Sequence, residues 1–84
     1  MNYRLHWLEE VEDNLALIWE RSPIRPAVVE ASSDIDRRLT GLGPNAGKEL
    51  SEGLYELGVP PLRVLYTVEG REVEVVAIGE IRFS

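Results

Sequence analysis

The chain has 84 residues, 15 of them acidic and 9 basic, and its formal net charge is −6. Strong binding to free nucleic acid is not expected, because non-specific affinity for phosphate comes from a positive surface. The chain has no cysteine and one histidine, which excludes a disulfide framework and a thiolate metal site and nearly excludes a histidine-based metal cluster. We therefore expect no bound metal and no cofactor.

Length and hydropathy predict a single globular domain over residues 1–84. Hydrophobic residues make up 44% of the chain, a share typical of globular proteins and above that of disordered ones. No apolar run approaches the roughly 20 residues needed to span a bilayer. The N-terminus lacks the basic, apolar and small-residue order of a signal peptide. We expect a cytoplasmic protein with no membrane partner.

The N-terminal half predicts one strand followed by two helices. From Tyr3 to Leu8, apolar and polar residues alternate, as in a half-buried strand. From Glu9 to Arg21, apolar residues recur at helical spacing, and Pro23 ends the pattern. A second helical stripe runs from about Pro26 to Leu42. The glycine-rich segment 41–47 ends this helix and is interpreted as a flexible connection.

The C-terminal half predicts three strands. Alternating residues at 54–59 and 62–68 indicate two strands separated by a corner at Pro60-Pro61. A short turn at Glu69-Gly70 leads to a third strand over 72–78, so the last two strands form a hairpin. The predicted fold is α+β, in the order β-α-α-β-β-β, with an antiparallel sheet and two helices packed on one face.

The aromatic residues follow the apolar faces of these elements. Trp7, Trp19, Tyr55 and Tyr66 are therefore interpreted as core residues. For the two tryptophans the alternative is an interface anchor, a role in which tryptophan is common. His6 alternates away from the apolar face of its strand, and we interpret it as a packing or surface residue.

This order of elements resembles the RelE/ParE superfamily of type II toxin–antitoxin toxins. The stretch Tyr3-Arg4-Leu5-His6-Trp7, with the following Asp13-Asn14-Leu15 and Ile18-Trp19, is similar to the opening strand and first helix of that family. The hairpin over 62–68 and 72–78 is similar to its central strand pair. The resemblance covers nearly the whole chain. It implies a toxin neutralised by an antitoxin that folds over it, and a target that is the ribosome for RelE-like members and DNA gyrase for ParE-like members.

The resemblance also implies candidate catalytic residues. Arg63 matches the central-strand arginine of the RelE-like toxins, and Arg82 lies in the region of a second arginine. A guanidinium group stays charged and can bind a phosphate through two hydrogen bonds. The alternative for Arg63 is a surface residue paired across the sheet with Glu72 or Glu74. The alternative for Arg82 is a solvated residue near the chain end.

The sequence departs from the RelE-like pattern at other positions. Leu54 and Glu56 stand where RelE-like enzymes carry catalytic lysines, and no tyrosine follows Arg82. Alternation predicts that several acids share the sheet face of the candidate arginine, namely Glu56, Glu74 and Glu80. Acidic groups there would repel an RNA backbone. We therefore expect no RelE-type cleavage of ribosome-bound message.

These observations favour one function and leave two alternatives. The favoured function is a toxin-like component that binds a cellular target and is neutralised by a cognate antitoxin. The first alternative is a non-toxic interaction module or homodimer that keeps the fold and has lost the activity. The second is a weak nuclease that uses Arg63 and Arg82 alone, which is disfavoured because arginine is a poor proton carrier at neutral pH.

Overall fold

Two α-helices and five strands form the fold, which a computed structural model describes over residues 2–81. In chain order the elements are β1 Arg4–Trp7, α1 Glu9–Arg21, α2 Arg25–Leu42, a short 3₁₀ helix Gly43–Asn45, β2 Lys48–Ser51, β3 Leu54–Val59, β4 Leu62–Glu69 and β5 Glu72–Glu80. Within these residues, neither helix is long and apolar enough to cross a bilayer.

Local sequence explains where both helices begin and end. Acidic residues fill the first turn of α1 and Arg21 lies in its last turn, an arrangement that suits the helix dipole. Pro26 lies in the first turn of α2, where its missing N–H costs no hydrogen bond. Gly43 ends α2 with a φ of 52°, a conformation that side chains with a Cβ rarely adopt. The predicted helices are therefore confirmed to within one residue at their ends.

The strands form one mixed sheet in the order β1-β5-β4-β3-β2. The α+β class is confirmed, with two corrections to the predicted sheet. First, β1 runs parallel to β5, whereas the other neighbours are antiparallel. Parallel pairing is open to β1 because two helices connect it to the later strands, and alternation carries no information on strand direction. Second, β2 is an additional strand, and its exposed residues show no alternation.

The core lies between the helices and one face of the sheet. From the helices, the buried residues are Val11, Val28, Ala31, Ile35 and Leu39. From the sheet they are Leu57, Val59, Leu62, Val64, Tyr66, Val73 and Val75, which alternate along their strands and so lie on one face. Both helices therefore pack on the same face of the sheet, as predicted.

A β-bulge in the β4–β5 hairpin changes the alternation of β5. Tyr66 pairs with Val75, but Leu65 pairs with Ala77, so Val76 is an extra residue with no partner of its own. A shift of one residue moves every following side chain to the other face of a sheet. Residues of β5 beyond the bulge therefore lie on the face opposite to the one that simple alternation predicts.

Three of the four aromatic predictions are confirmed. Tyr66 is completely buried, and Trp7 and Tyr55 pack against the core. Trp19 is not a core residue, because it is 41% exposed and lies at the margin of the apolar stripe of α1. The Arg25 guanidinium lies over its ring at 4.7 Å from the ring centroid. A cation–π contact of this kind stabilises an exposed ring without burying it.

Tyr66 ties the sheet to the end of α2. Its hydroxyl donates a hydrogen bond to the Gly43 carbonyl oxygen at 3.1 Å, and its ring stacks on Tyr55 with centroids 5.3 Å apart. Burial raises the pKa of the Tyr66 hydroxyl above its usual value of 10.0, and this outweighs the opposite effect of the Gly47 backbone. The folded chain therefore holds this proton more tightly than the unfolded chain does.

Replacing Tyr66 with phenylalanine is expected to change how stability depends on pH. Because the folded pKa is raised, the stabilisation is fully present below about pH 10 and is lost as pH rises through the folded value. Tyr66→Phe should lower the free energy of unfolding by about 1–3 kcal/mol at neutral pH, because the hydroxyl's hydrogen bonds with the Gly43 carbonyl and the Gly47 backbone are lost. Urea unfolding at neutral and alkaline pH should show a smaller alkaline loss for the variant. Equal alkaline losses would contradict this account.

Candidate functional site

The candidate site is the face of the sheet that the helices leave uncovered, here called the open face. The register places on it the side chains that alternate with the core residues. Among the described residues, its polar and charged members include Arg4, His6, Lys48, Ser51, Glu56, Arg63, Thr67, Glu69, Glu72 and Glu74. The open face thus contains the residue that the sequence marks as the best candidate for binding phosphate.

Arg63 lies near the start of β4, the middle strand of the sheet, and is held by an acid. Its side chain is 55% exposed, and its Nε atom lies 3.3 Å from Oε2 of Glu56 on the neighbouring strand β3. The residue directly opposite Arg63 on β3 is Gly58, which offers no side chain. The guanidinium group therefore leans diagonally toward Glu56. This ion pair reduces the positive potential that Arg63 presents to a phosphate.

The alternative partners predicted for Arg63 are wrong. Arg63 pairs with Gly79 of β5, whereas Glu74 pairs with Thr67, four residues further along β4. At about 3.3 Å per residue that separation is roughly 13 Å, too long for an ion pair. Glu72 lies further still. The acid that reaches Arg63 comes instead from β3, on the other side of β4.

The structure also corrects the position of Glu80. Sequence alternation places it on the open face, but the bulge at Val76 shifts the end of β5 by one residue. Glu80 pairs with Leu62, which is completely buried on the helix-covered face. The predicted placement of Glu56, Arg63 and Glu74 on one face is confirmed by the register.

The other basic residues of the open face also lie beside acids. Arg4 forms an ion pair with Glu72 at the β1 edge of the sheet. Lys48, at the opposite edge, lies directly across from Glu56 in the register. His6, exposed as predicted, lies beside Glu74. Because each cation has an acidic neighbour, the described part of the open face has no concentrated positive potential to attract a polyanion.

Catalysis of RNA cleavage needs more than a bound phosphate. Attack by a 2′-hydroxyl requires one group to remove a proton and another to protonate the leaving oxygen. A shallow hollow of about 250 Å³ is lined by Arg63, Leu65, Ala77, Ile78, Gly79 and Glu80. The carboxylate in contact with Arg63 is that of Glu56, which lies outside this hollow and is held in the ion pair. Within residues 2–81, no group of three metal-ligating side chains could hold a metal ion.

Arg82, the second predicted catalytic residue, lies outside the described residues. Its role therefore stays a prediction, as does the catalytic role of Arg63. The structure establishes where Arg63 lies and what it contacts.

A second surface, which the sequence did not predict, lies between the two helices. A groove of about 330 Å³ is lined by Glu12, Leu15, Ala16, Trp19, Val28, Val29 and Ser32, and is called here the helical groove. It continues into a cavity bordered by Trp7 and Asp36, whose side chains share a hydrogen bond of 2.8 Å. The sequence feature that could have indicated this groove is the pair of apolar residues Ala16 and Val29. They widen the apolar stripes of α1 and α2 beyond the residues that are buried in the core.

The fold has close counterparts among solved structures. The chain superposes on the toxin–antitoxin complex RelBE2 from Mycobacterium tuberculosis with a TM-score of 0.76 at 15% identity, covering 96% of this chain and 100% of the other. The chromosomal ParDE toxin–antitoxin system from P. aeruginosa gives a TM-score of 0.67 at 19% identity, covering 95% and 97%. The chain has the RelE/ParE-type toxin fold. A mutant of the E. coli toxin RelE in the free state gives 0.68 at 16% identity, covering 95% and 84%.

No family model matches the chain, and no curated protein matches it. At identities of 15–19%, the superpositions on these solved structures show a shared fold along nearly the whole chain. Activity belongs to the residues of the site and must be argued from them.

Proposed function

We propose that this chain is the toxin-like component of a type II toxin–antitoxin module. In this proposal it binds a cellular target in the cytoplasm and is neutralised by a cognate antitoxin. The observation that carries the proposal is the whole-chain RelE/ParE-type fold, which covers 95–96% of this chain in structures of RelBE2 and ParDE. The fold extends over almost all of this chain, and we assign the proposed activity to this domain.

Action by binding rather than by RNA cleavage is supported by the open face. Arg63, on the middle strand, is paired with Glu56, and the other cations of the open face have acidic neighbours. A surface of balanced charge suits a protein target, because it binds through shape and matched ion pairs instead of attraction to phosphate. The target would be DNA gyrase or a ribosomal component, as the resemblance implies.

A second candidate function is a non-toxic interaction module or homodimer with the same fold. The balanced open face and the net charge of −6 favour this alternative. Both features disfavour binding to RNA, and an interaction module does not need to bind RNA. The two functions differ in one observable property. A toxin arrests growth when its antitoxin is absent, whereas an interaction module does not.

Induced expression in the organism that encodes the chain distinguishes these functions. We expect growth arrest that is relieved by co-expression of the adjacent reading frame, while ribosome-bound message remains uncut. Arg63→Ala tests the open face, and Arg38→Ala on the exposed side of α2 is the matched control. Absence of arrest would overturn the toxin proposal and favour the interaction module. Arrest accompanied by codon-positioned cleavage would keep the toxin and overturn the binding mechanism.

A further inference from the structure

The helical groove and the cavity beside Trp7 form one continuous cleft. The cavity has a volume of about 280 Å³ and the groove one of about 330 Å³, and Glu12, Leu15 and Ser32 line both. Volumes of this size lie close to the lower end of the range for small-molecule sites, roughly 300–1,000 Å³. An entire helix, about 10–12 Å across with its side chains, does not fit inside such a cleft. Its size therefore suits a small ligand.

One part of the cleft, the helical groove, is mainly apolar. Its lining includes Trp19 and Val29 from opposite helices, which are 41% and 51% exposed. On α1 the lining residues stand at positions 12, 15, 16 and 19, which form one face of the helix. The helix rises by roughly 10 Å from position 12 to position 19, at about 1.5 Å per residue. A flexible alkyl chain that lies along this face removes apolar surface from water.

The other part of the cleft, the cavity beside Trp7, is acidic. Glu12 and Asp36 line it from different helices, together with two serines, and no basic side chain is among its lining residues. Within residues 2–81, neither acid forms an ion pair, in contrast to Glu56 and Glu72 of the open face. A ligand with a positive charge at this end supplies the partner that both carboxylates lack.

The hydrogen-bond acceptors of this cavity match the donors of a primary ammonium group. Asp36 accepts the 2.8 Å hydrogen bond from the Trp7 indole through Oδ1, which fixes the carboxylate through one of its two oxygens. Ser32 donates its hydroxyl proton to the Val29 carbonyl oxygen, so its own oxygen acts as an acceptor. With Glu12, three acceptor groups line the cavity. A primary ammonium group has three N–H donors and no acceptor.

We infer that the cleft binds a small primary amine with an apolar chain, its ammonium group at Glu12 and Asp36 and its chain along Trp19 and Val29. The site uses residues of β1, α1 and α2 alone, so the inference does not depend on the proposed action on a cellular target. The net charge of −6 also favours a cation over an anion. Octylamine is a suitable probe, because a primary amine is protonated at neutral pH.

Intrinsic fluorescence and calorimetry measure this binding. Both tryptophans of the chain line the cleft, so octylamine should give a saturable change in emission. Octanol has the same chain without the charge, and octyltrimethylammonium has the charge without an N–H donor. Each should bind at least about tenfold more weakly than octylamine. Equal affinities for octylamine and octanol would overturn the ammonium site, and no saturable binding of octylamine by either method would overturn the whole inference.

Isosteric substitutions test the two acids. Glu12→Gln removes one charge at an exposed residue and should weaken octylamine binding at least about fivefold. Adding Asp36→Asn keeps an acceptor for the Trp7 indole and should weaken binding further. Glu30→Gln is the matched control, an exposed acid of α2 outside the cleft, and should leave the affinity within about twofold because a distant exposed charge is screened. Equal losses for Glu12→Gln and Glu30→Gln would show that net charge alone attracts the amine, which would overturn the site.

Discussion

Replacing Gly47 with alanine is expected to destabilise the domain by about 3 kcal/mol, the upper end of the usual range for overpacking. A Cβ atom at this position would lie 2.1 Å from the Glu56 carbonyl oxygen and 2.9 Å from the Tyr66 hydroxyl oxygen. Glu56 belongs to β3, which is hydrogen-bonded on both sides, and Tyr66 is completely buried. Neither group can move without disturbing the sheet, so the clash cannot be relieved cheaply.

Such a loss is large for this chain. At 0.05–0.15 kcal/mol per residue, a domain of this length has a free energy of unfolding of roughly 4–13 kcal/mol. Gly41→Ala is the matched control, because a Cβ there meets nothing within 4 Å and the residue lies in α2. This control should be neutral or stabilising by up to about 1 kcal/mol, since alanine favours helix over glycine. Urea denaturation measures both effects. Similar midpoints for the two variants would contradict the packing argument.

The sequence is sufficient to predict the elements whose hydrophobic period is strong. The α2 stripe through Ile35 and Leu39 and the alternation of β4 through Val64 and Tyr66 both correspond to fully buried residues. An element buried on one face carries apolar residues at a regular spacing. The spacing of apolar residues therefore predicts which residues are buried. The exposed strand β2 has no buried face, and its sequence therefore shows no period.

Features that depend on pairing between distant strands could not be predicted in this way. The bulge at Val76 arises from the register of β4 with β5, and it alone decides that Glu80 leaves the open face. The partner of Arg63 depends on Gly58, which stands opposite and contributes no side chain. The sequence correctly predicts that Glu56 and Arg63 share a face. It does not predict that they touch, because diagonal contacts depend on the twist and register of the sheet.

The helical groove was missed for a related reason. Periodicity marks an apolar side chain as buried, and Trp19 falls at the edge of a stripe where that inference is weakest. The exposed fraction of Trp19 depends on how closely α2 packs against α1, which the spacing of residues in α1 does not determine. Apolar residues that widen a stripe beyond the core contact therefore indicate an interaction surface only once the packing is known.

Replacing Glu56 with lysine is expected to convert the open face into a surface that binds RNA. The substitution breaks the ion pair with Arg63 and adds a cation between Arg63 and Lys48, which lies across from position 56 in the register. Affinity for a short single-stranded RNA at low salt should rise at least about tenfold. Two further phosphate contacts should steepen the slope of log K against log salt by roughly 1.4, at about 0.7 per contact. The fold should persist, because an exposed ion pair contributes about 0–1 kcal/mol.

Glu30→Lys provides the matched control for this gain. It makes the same change in net charge at an exposed position of α2, on the opposite side of the sheet from the open face. Glu30→Lys should change the salt slope little, because its charge lies on the other side of the sheet and cannot act together with Arg63. Fluorescence anisotropy with a labelled RNA over a range of salt concentrations measures both slopes. Equal slopes for the two variants would show that net charge alone governs RNA binding. A larger slope for Glu56→Lys would show that Glu56 suppresses RNA binding on the open face, which supports the proposed action by binding rather than by RNA cleavage.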